Sequence, residues 1–247
     1  MILITRPLRE AINTQKQLIG LGYESVIDPL ISFELLYKKI SINKKKIFVV
    51  SSLQSVRAIA KNKKKYISLL NESSFYVIGN KVASELKKLS SIKIKKVFKD
   101  SGCLIIHLKR KNFFDADYQK LHFLTGSKMN QDLYVSLNKL NIKFQKTILY
   151  NVVQKNYLSL KTINLLKERR INTIALYSSF TAQTFLKNMV KHGLQKYSGD
   201  LTVVCLSKRI KKCVYNVLPF KMVIVSNIPN ERSFFTVLKK ITKKPKN

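Results

Sequence analysis

The chain has 247 residues, 45% of them apolar, and a formal charge of +34 from 47 Lys and Arg against 13 Asp and Glu. That apolar share builds packed cores and excludes a disordered chain, and the length allows one large domain or two of ordinary size. No apolar run approaches the ~18–20 residues that span a membrane, so no membrane association is expected.

Cys103, Cys205 and Cys213 show no pairing pattern, which suits a reducing cytoplasm. His107, His122 and His192 lack metal-ligand spacing, so no metal is expected. The chain starts directly with a strand, and no secretory signal is expected. A charge of this size points to nucleic acid, an anionic surface or a polyanionic small molecule. Lys is nevertheless spread along the whole chain with Ile and Asn, while Gly (7) and Pro (5) are scarce. Codon bias of that kind accounts for part of the excess. After Asp132 only Glu168, Asp200 and Glu231 remain acidic. No segment alternates basic with aromatic residues as a stacking platform for nucleic acid would.

In chain order, residues 2–5 read as a strand ending in Thr5-Arg6-Pro7, with Pro7 in the first turn of a helix over 8–21. Gly22 supplies the left-handed turn that ends the helix. Residues 23–27 form a strand, Asp28-Pro29 break it, and 30–36 continue extended. A basic linker covers 38–46. Residues 47–60, IFVVSSLQSVRAIA, then give an apolar strand, Ser51-Ser52, and a helical run through Val56, Ile59 and Ala60. The strand 76–78 turns through Gly79-Asn80-Lys81 into a helix over 82–89. Residues 92–98 form a strand, 103–110 fit either helix or strand, and 111–120 are polar and turn-rich. The strand 121–124 ends in Thr125-Gly126-Ser127, followed by a helix over 131–140. Residues 144–154 are extended and carry Tyr150.

The chain is organised around 174–187, IALYSSFTAQTFLK. A strand delivers Ser178, Ser179 and Thr181, all suited to N-capping, to a helix with Ala182, Phe185, Leu186 and Met189 on its packed face. Free N–H groups and the positive helix end there suit an anionic ligand. The tail 238–247 is Lys-rich and expected to be disordered.

The 174–187 layout echoes 47–60 at an offset of 127 residues, which pairs Ser51 with Ser178 and Ser52 with Ser179. At the same offset 75–86 falls on 202–213, and 2–34 resembles 121–153. Self-similarity at long period predicts two copies of one α/β unit, with a ligand-holding cleft between them. The extended segments near 30–38 and 148–154 are expected to pair as a two-stranded link. Residues 1–34 and 154–247 would then form one discontinuous domain and 39–147 the other.

Catalytic sets built on clustered carboxylates, GxSxG, HExxH, a P-loop or GxGxxG are absent. Hydroxyls, helix-start amides and cations remain, an inventory for gripping an acidic ligand and steering a reactive intermediate.

Six segments in order carry a resemblance. ILITRPLREAINTQKQLIGLGYESVIDPLISFE resembles the opening of uroporphyrinogen-III synthases. VVSSLQSVRAI is similar to their first Thr-Ser-x-x-x-Val element, and FYVIGNKVASELKKL to their Val-Gly-x-x-Thr-Ala element. ILYNVV resembles the Val-Tyr segment at the interdomain crossover, LYSSFTAQTF the second Phe-Thr-Ser element, and VSNIPNERSFFTVLKK the closing Pro-Thr-x-x-x-Leu helix. The resemblance implies two similar three-layer, flavodoxin-like parallel-sheet domains joined by a β-ladder, with the active site between them. It implies a cofactor-independent cyclisation of hydroxymethylbilane, a linear tetrapyrrole octacarboxylate, to uroporphyrinogen III with inversion of ring D and loss of water.

Tyr150 is then the proton donor to the departing hydroxyl. Arg6, Ser52, Gln54, Gly79, Asn80, Lys81, Ser178, Ser179, Thr181, Ser207, Lys208 and Arg209 are the substrate-binding residues. The implied partners are hydroxymethylbilane and the upstream hydroxymethylbilane synthase, with a cytoplasmic monomer and no nucleic acid. The chain departs from the family pattern at Val82, at Thr125 where an Arg is common, and at Leu206-Ser207-Lys208-Arg209, where a Gly-Pro-Thr-Thr run is expected. Either Lys208 and Arg209 offset the lost hydroxyls, since charge-assisted contacts to carboxylates are the stronger ones, or the chain is a diverged copy with little activity. The alternative is a non-catalytic basic α/β protein that holds a polyanion such as nucleic acid.

Overall fold

The computed structural model describes residues 1–40, 47–110, 121–228 and 230–241. Most of the expected basic linker (41–46), the turn-rich stretch 111–120, Pro229 of the closing motif and the last six tail residues lie outside these. The elements run β1 (Ile2–Ile4), α1 (Leu8–Ile19), β2 (Ser25–Ile27), β3 (Ile31–Leu35), β4 (Ile47–Val50), α2 (Leu53–Lys61), α3 (Lys63–Glu72), β5 (Ser74–Ile78), α4 (Asn80–Lys87) and β6 (Lys93–Phe98). They continue with α5 (Ser101–Arg110), β7 (Leu121–Gly126), α6 (Gln131–Lys139), β8 (Gln145–Gln154), α7 (Leu160–Lys167), β9 (Thr173–Leu176), α8 (Ser179–Lys191), β10 (Thr202–Cys205), α9 (Lys208–Val214), β11 (Met222–Val225) and α10 (Glu231–Ile241). Two compact units result: a terminal unit of Met1–Ser32 with the chain from Val153 on, and a middle unit of Phe33–Val152.

The terminal unit holds a parallel sheet in the order β11-β10-β9-β1-β2. Counted along the chain this is 2-1-3-4-5, the flavodoxin-like order, with its switch point between β1 and β9. The strands are too short and too apolar to face water on either side, so helices cover both. Leu3, Ile174, Leu176, Val203 and Cys205 pack under α7, α8 and α9 through Leu165, Phe185 and Ile210. Ile2, Ile4, Ala175 and Val204 pack under α1 and α10 through Ala11, Leu18, Phe234 and Leu238. Alternation along each strand thus builds three layers from two cores.

The middle unit repeats this plan with the chain entering at the third strand. Its sheet runs β3-β8-β7-β4-β5-β6, so β7, β8, β4, β5 and β6 take the places of β1, β2, β9, β10 and β11. The pairs β8-β7, β7-β4, β4-β5 and β5-β6 are parallel. Phe48, Val50, Phe75, Val77 and Leu124 face α2, α3 and α4, while Ile47, Val49, Tyr76, Leu121 and Phe123 face α5 and α6. β3 is the extra strand beside β8. Leu36 N donates to Leu149 O at 2.7 Å and Lys155 N to Leu30 O at 2.9 Å, so the two run antiparallel.

Two expectations need correction, and one open assignment is decided. By structural role the repeat pairs Ser52 with Ser178, since each lies two residues past its strand and caps its helix. Gly79 likewise matches Ser207, the N-cap of α9, and not Leu206. Two adjacent serines at each site made the one-residue slip invisible in the sequence. The tail is helical as far as Ile241, because Phe234, Phe235 and Leu238 share one buried face of α10. The unassigned 103–110 stretch belongs to α5, whose start is held by Asp100 Oδ1 accepting from Cys103 N at 2.9 Å.

Candidate active site

In the middle unit the switch point lies where β4 and β7 end side by side. β4 is four buried apolar residues, Ile47 to Val50, followed by Ser51 and Ser52. Ser52 takes extended backbone (φ −137°, ψ 144°), which frees its side chain to cap α2 by accepting from Ser55 N at 3.0 Å. Ser55 is buried and donates its hydroxyl hydrogen to Leu124 O at 2.8 Å, tying α2 to β7. Its oxygen lies 2.9 Å from Ser52 Oγ, so with its own hydrogen spent it accepts from Ser52. The Tyr150 hydroxyl donates to Ser52 Oγ at 3.1 Å. The hydrogens thus run one way, from Tyr150 to Ser52 to Ser55 to a backbone carbonyl.

Tyr150 reaches this point because of what flanks it on β8. The β7–β8 register slips by one residue between Thr125 and Gly126, which sets Gly126 opposite Tyr150. The ring lies against Gly126 so closely that a Cβ there would sit 2.3 Å from Cε2. Only glycine fits. Ser127 fixes the same turn, donating its N–H to Tyr150 O at 2.9 Å and accepting from Val152 N at 3.1 Å. Phe33 meets the ring edge-on, with centroids 5.5 Å apart. Tyr150 is 7% exposed. Burial pushes its phenol above the ordinary value of 10, the Ser52 hydrogen bond opposing this, so the proton is retained at neutral pH.

Around this core, Gln54 is half-buried in the first turn of α2. Gly79 precedes α4 with a positive φ of 95°, conformational space open to glycine, and donates its N–H to Phe98 O at 2.8 Å. Asn80 and Lys81 follow in the first turn of α4, both exposed. Tyr150, Ser52, Gln54, Gly79, Asn80 and Lys81 therefore share the carboxyl end of one sheet.

The terminal unit brings together the other predicted residues. Ser178 caps α8 by accepting from Thr181 N at 3.1 Å, and the two hydroxyl oxygens lie 2.7 Å apart. Thr181 is buried and Ser179 half-buried. Thr5 Oγ1 donates to Ala175 O at 3.1 Å, bracing β1 against β9 much as Ser55 braces the middle unit. Arg6 is already engaged. Its Nη1 donates to Glu231 Oε1 at 2.5 Å and to Thr14 Oγ1 at 2.9 Å, and its guanidinium lies 4.0 Å from the Tyr177 ring centroid. Burial pushes the Tyr177 phenol up to about 12 despite the Arg6 charge. Ser207 stands before α9 in extended backbone without a side-chain cap bond, and Lys208 and Arg209 are exposed in the helix's first turn.

Sequence reasoning missed Gly126, Ser55, Ser127, Tyr177 and Glu231. Gly126 lay in the Thr-Gly-Ser turn, where the lone signal was a glycine directly after a strand. Among the described residues no cluster of His, Cys, Asp or Glu could hold a metal ion, and no helix is long and apolar enough to cross a membrane.

The family model HEM4, uroporphyrinogen-III synthase HemD, matches residues 13–235. The chain belongs to the uroporphyrinogen-III synthase family. Two solved structures of uroporphyrinogen-III synthases share the fold. The uroporphyrinogen-III synthetase from Helicobacter pylori matches with a TM-score of 0.65 at 14% identity, over 98% of this chain and 99% of that one. A mutant of the Thermus thermophilus synthase matches with a TM-score of 0.58 at 12% identity, over 97% and 98%. No curated protein matches the chain by sequence. At such identities the two structures support the parallel α/β fold of a synthase, and the family match supports the activity.

Proposed function

We propose that this uroporphyrinogen-III synthase family chain cyclises hydroxymethylbilane to uroporphyrinogen III, with Tyr150 as the proton donor. The observation that carries the reaction is the family match over residues 13–235. The reaction loses one water: the C–O bond of the hydroxymethyl group breaks, a proton joins the leaving hydroxyl, and the resulting azafulvene is attacked by ring D. A general acid in the right place contributes about 10²–10⁴-fold to such a step. Tyr150 meets the requirement because its proton is kept by burial and its ring is fixed by Gly126 and Phe33.

In the free site the phenol hydrogen points to Ser52. Donating to substrate means turning that hydrogen outward, at a cost of about one ordinary hydrogen bond, ~1 kcal/mol. As the proton leaves, Ser52 can redirect its own hydroxyl to the phenolate oxygen. The helix starts at Ser52, Gly79, Ser178 and Ser207 offer amides, and Lys81, Lys208 and Arg209 offer charge, to the substrate's carboxylates. The strongly positive chain suits an octacarboxylate. We read the protein as a cytoplasmic monomer supplied by a hydroxymethylbilane-producing deaminase.

The test is product analysis. Porphobilinogen and the deaminase are incubated with and without this protein, and the oxidised uroporphyrin isomers are separated. Isomer III in excess over the spontaneous isomer I is the expected result. Isomer I alone, from folded protein, contradicts the assignment.

A further inference from the structure

β11 and β6 occupy equivalent places, each the last strand of its sheet. An unprotected edge strand invites another chain, and proteins commonly blunt such edges with lysine. β6, KIKKVF, does so: Lys93, Lys95 and Lys96 are exposed along it. β11, MVIV, has no charge at all, and Met222 is 49% exposed. Ser226 N donates inward to Cys205 O at 3.0 Å, so strand alternation turns the backbone N–H and C=O of Val223 and Val225 to the outer edge. Tyr215, 57% exposed, adds apolar surface beside the strand.

The flank is as distinctive as the edge. A groove of about 660 Å³ runs between β11 and α9, lined by Val223, Ile224, Val225, Tyr215 and the lysines 208, 211 and 212. α9, KRIKKCV, holds four cations and no acid, and Lys211 Nζ lies 5.3 Å from the Tyr215 ring centroid. Pairing of β11 with β11 of a second copy would bring one cationic α9 beside another, so like charge opposes that occupant.

We propose that the β11 edge is a docking site for an extended acidic segment of a partner protein, added to the sheet as a further strand. Backbone pairing with Val223 and Val225 supplies the attachment, and acidic side chains at alternate positions face Lys211 and Lys212.

The test is fluorescence anisotropy with a labelled ten-residue peptide alternating Glu and Val, beside Lys/Val and Glu/Pro peptides. Saturable binding of the Glu/Val peptide alone is expected. Val223→Pro, which removes an outward N–H, and the pair Lys211→Glu with Lys212→Glu should each weaken it by about tenfold or more. Cyclisation activity should be unchanged in both. The lysine pair keeps the test standing if the proline variant does not fold. Equal binding of the Glu/Pro peptide would reduce the effect to charge alone and overturn the proposal. Absence of Glu/Val binding, or binding indifferent to these substitutions, would do the same. A dimer in analytical ultracentrifugation that Val223→Pro dissolves would assign the edge to a second copy instead.

Discussion

In the middle unit the capping serine, Ser52, receives a hydrogen from Tyr150; in the terminal unit its counterpart, Ser178, meets Thr181 of its own helix. The frames are otherwise alike. Each has a strand, a serine cap, a hydroxyl three residues on, and a side-chain hydroxyl bonded to a carbonyl of a central strand. The second helix start differs the other way, with Gly79-Asn80 in the middle unit and Ser207-Lys208-Arg209 in the terminal one. The duplicated fold thus places a buried phenol, the proton donor we propose, on one copy and extra cations on the other. Both serines cap their helices, and what separates them is the tyrosine that β8 brings to Ser52.

Substitutions can break this contrast at graded cost. Gly126→Ala puts a methyl into the Tyr150 ring, so the ring must leave Ser52. We expect a loss of about 10² in kcat, the lower end of a general acid's contribution, and about 1–3 kcal/mol of stability from overpacking. A denaturation curve and a rate assay on the same sample check both. Replacing Lys208 and Arg209 by Ala should raise KM about three- to tenfold with kcat held, since exposed charge contacts are worth about 0.2–1 kcal/mol each. Added salt should shrink that difference.

The two caps sharpen the comparison further. Ser52→Ala and Ser178→Ala should each cost about 0.5–2 kcal/mol in urea denaturation. Only Ser52→Ala should also lower kcat. Equal kinetic effects would show that the serine, and not its tyrosine, matters. The smallest effect is with pH. Burial raises both the Tyr150 and Tyr177 phenols, so the folded state holds these protons more tightly than the unfolded chain. That contribution is fully present below pH 10 and is lost as pH rises through the raised values. Tm and kcat should therefore be flat across the neutral range on account of these groups and fall only in strong alkali.

Much of this was legible in the sequence. Short charge-free strands such as IFVV and IALY, each followed by hydroxyls and a helical face, announce their elements because burial on both sides leaves no room for polar residues. Tyr150 and Ser52 could be named, but their contact across 98 residues of chain could not. The Arg6–Glu231 pair hid for the same reason, spanning 225 residues. α5 escaped assignment because Gly102 and a pair of isoleucines dilute its helical signal, and its start depends on Asp100. The role of Gly126 depends on a one-residue register slip that no local pattern reports.

The most direct test of the account is kcat for isomer III formation by Tyr150→Phe at neutral pH, with saturating hydroxymethylbilane. Phenylalanine keeps the ring against Gly126 and removes only the hydroxyl. The account expects a loss of about 10²-fold or more, with KM and the unfolding midpoint near those of the unsubstituted protein. A rate within about twofold of the unsubstituted protein would contradict it and move the proton donor away from the middle unit's serine–tyrosine pair.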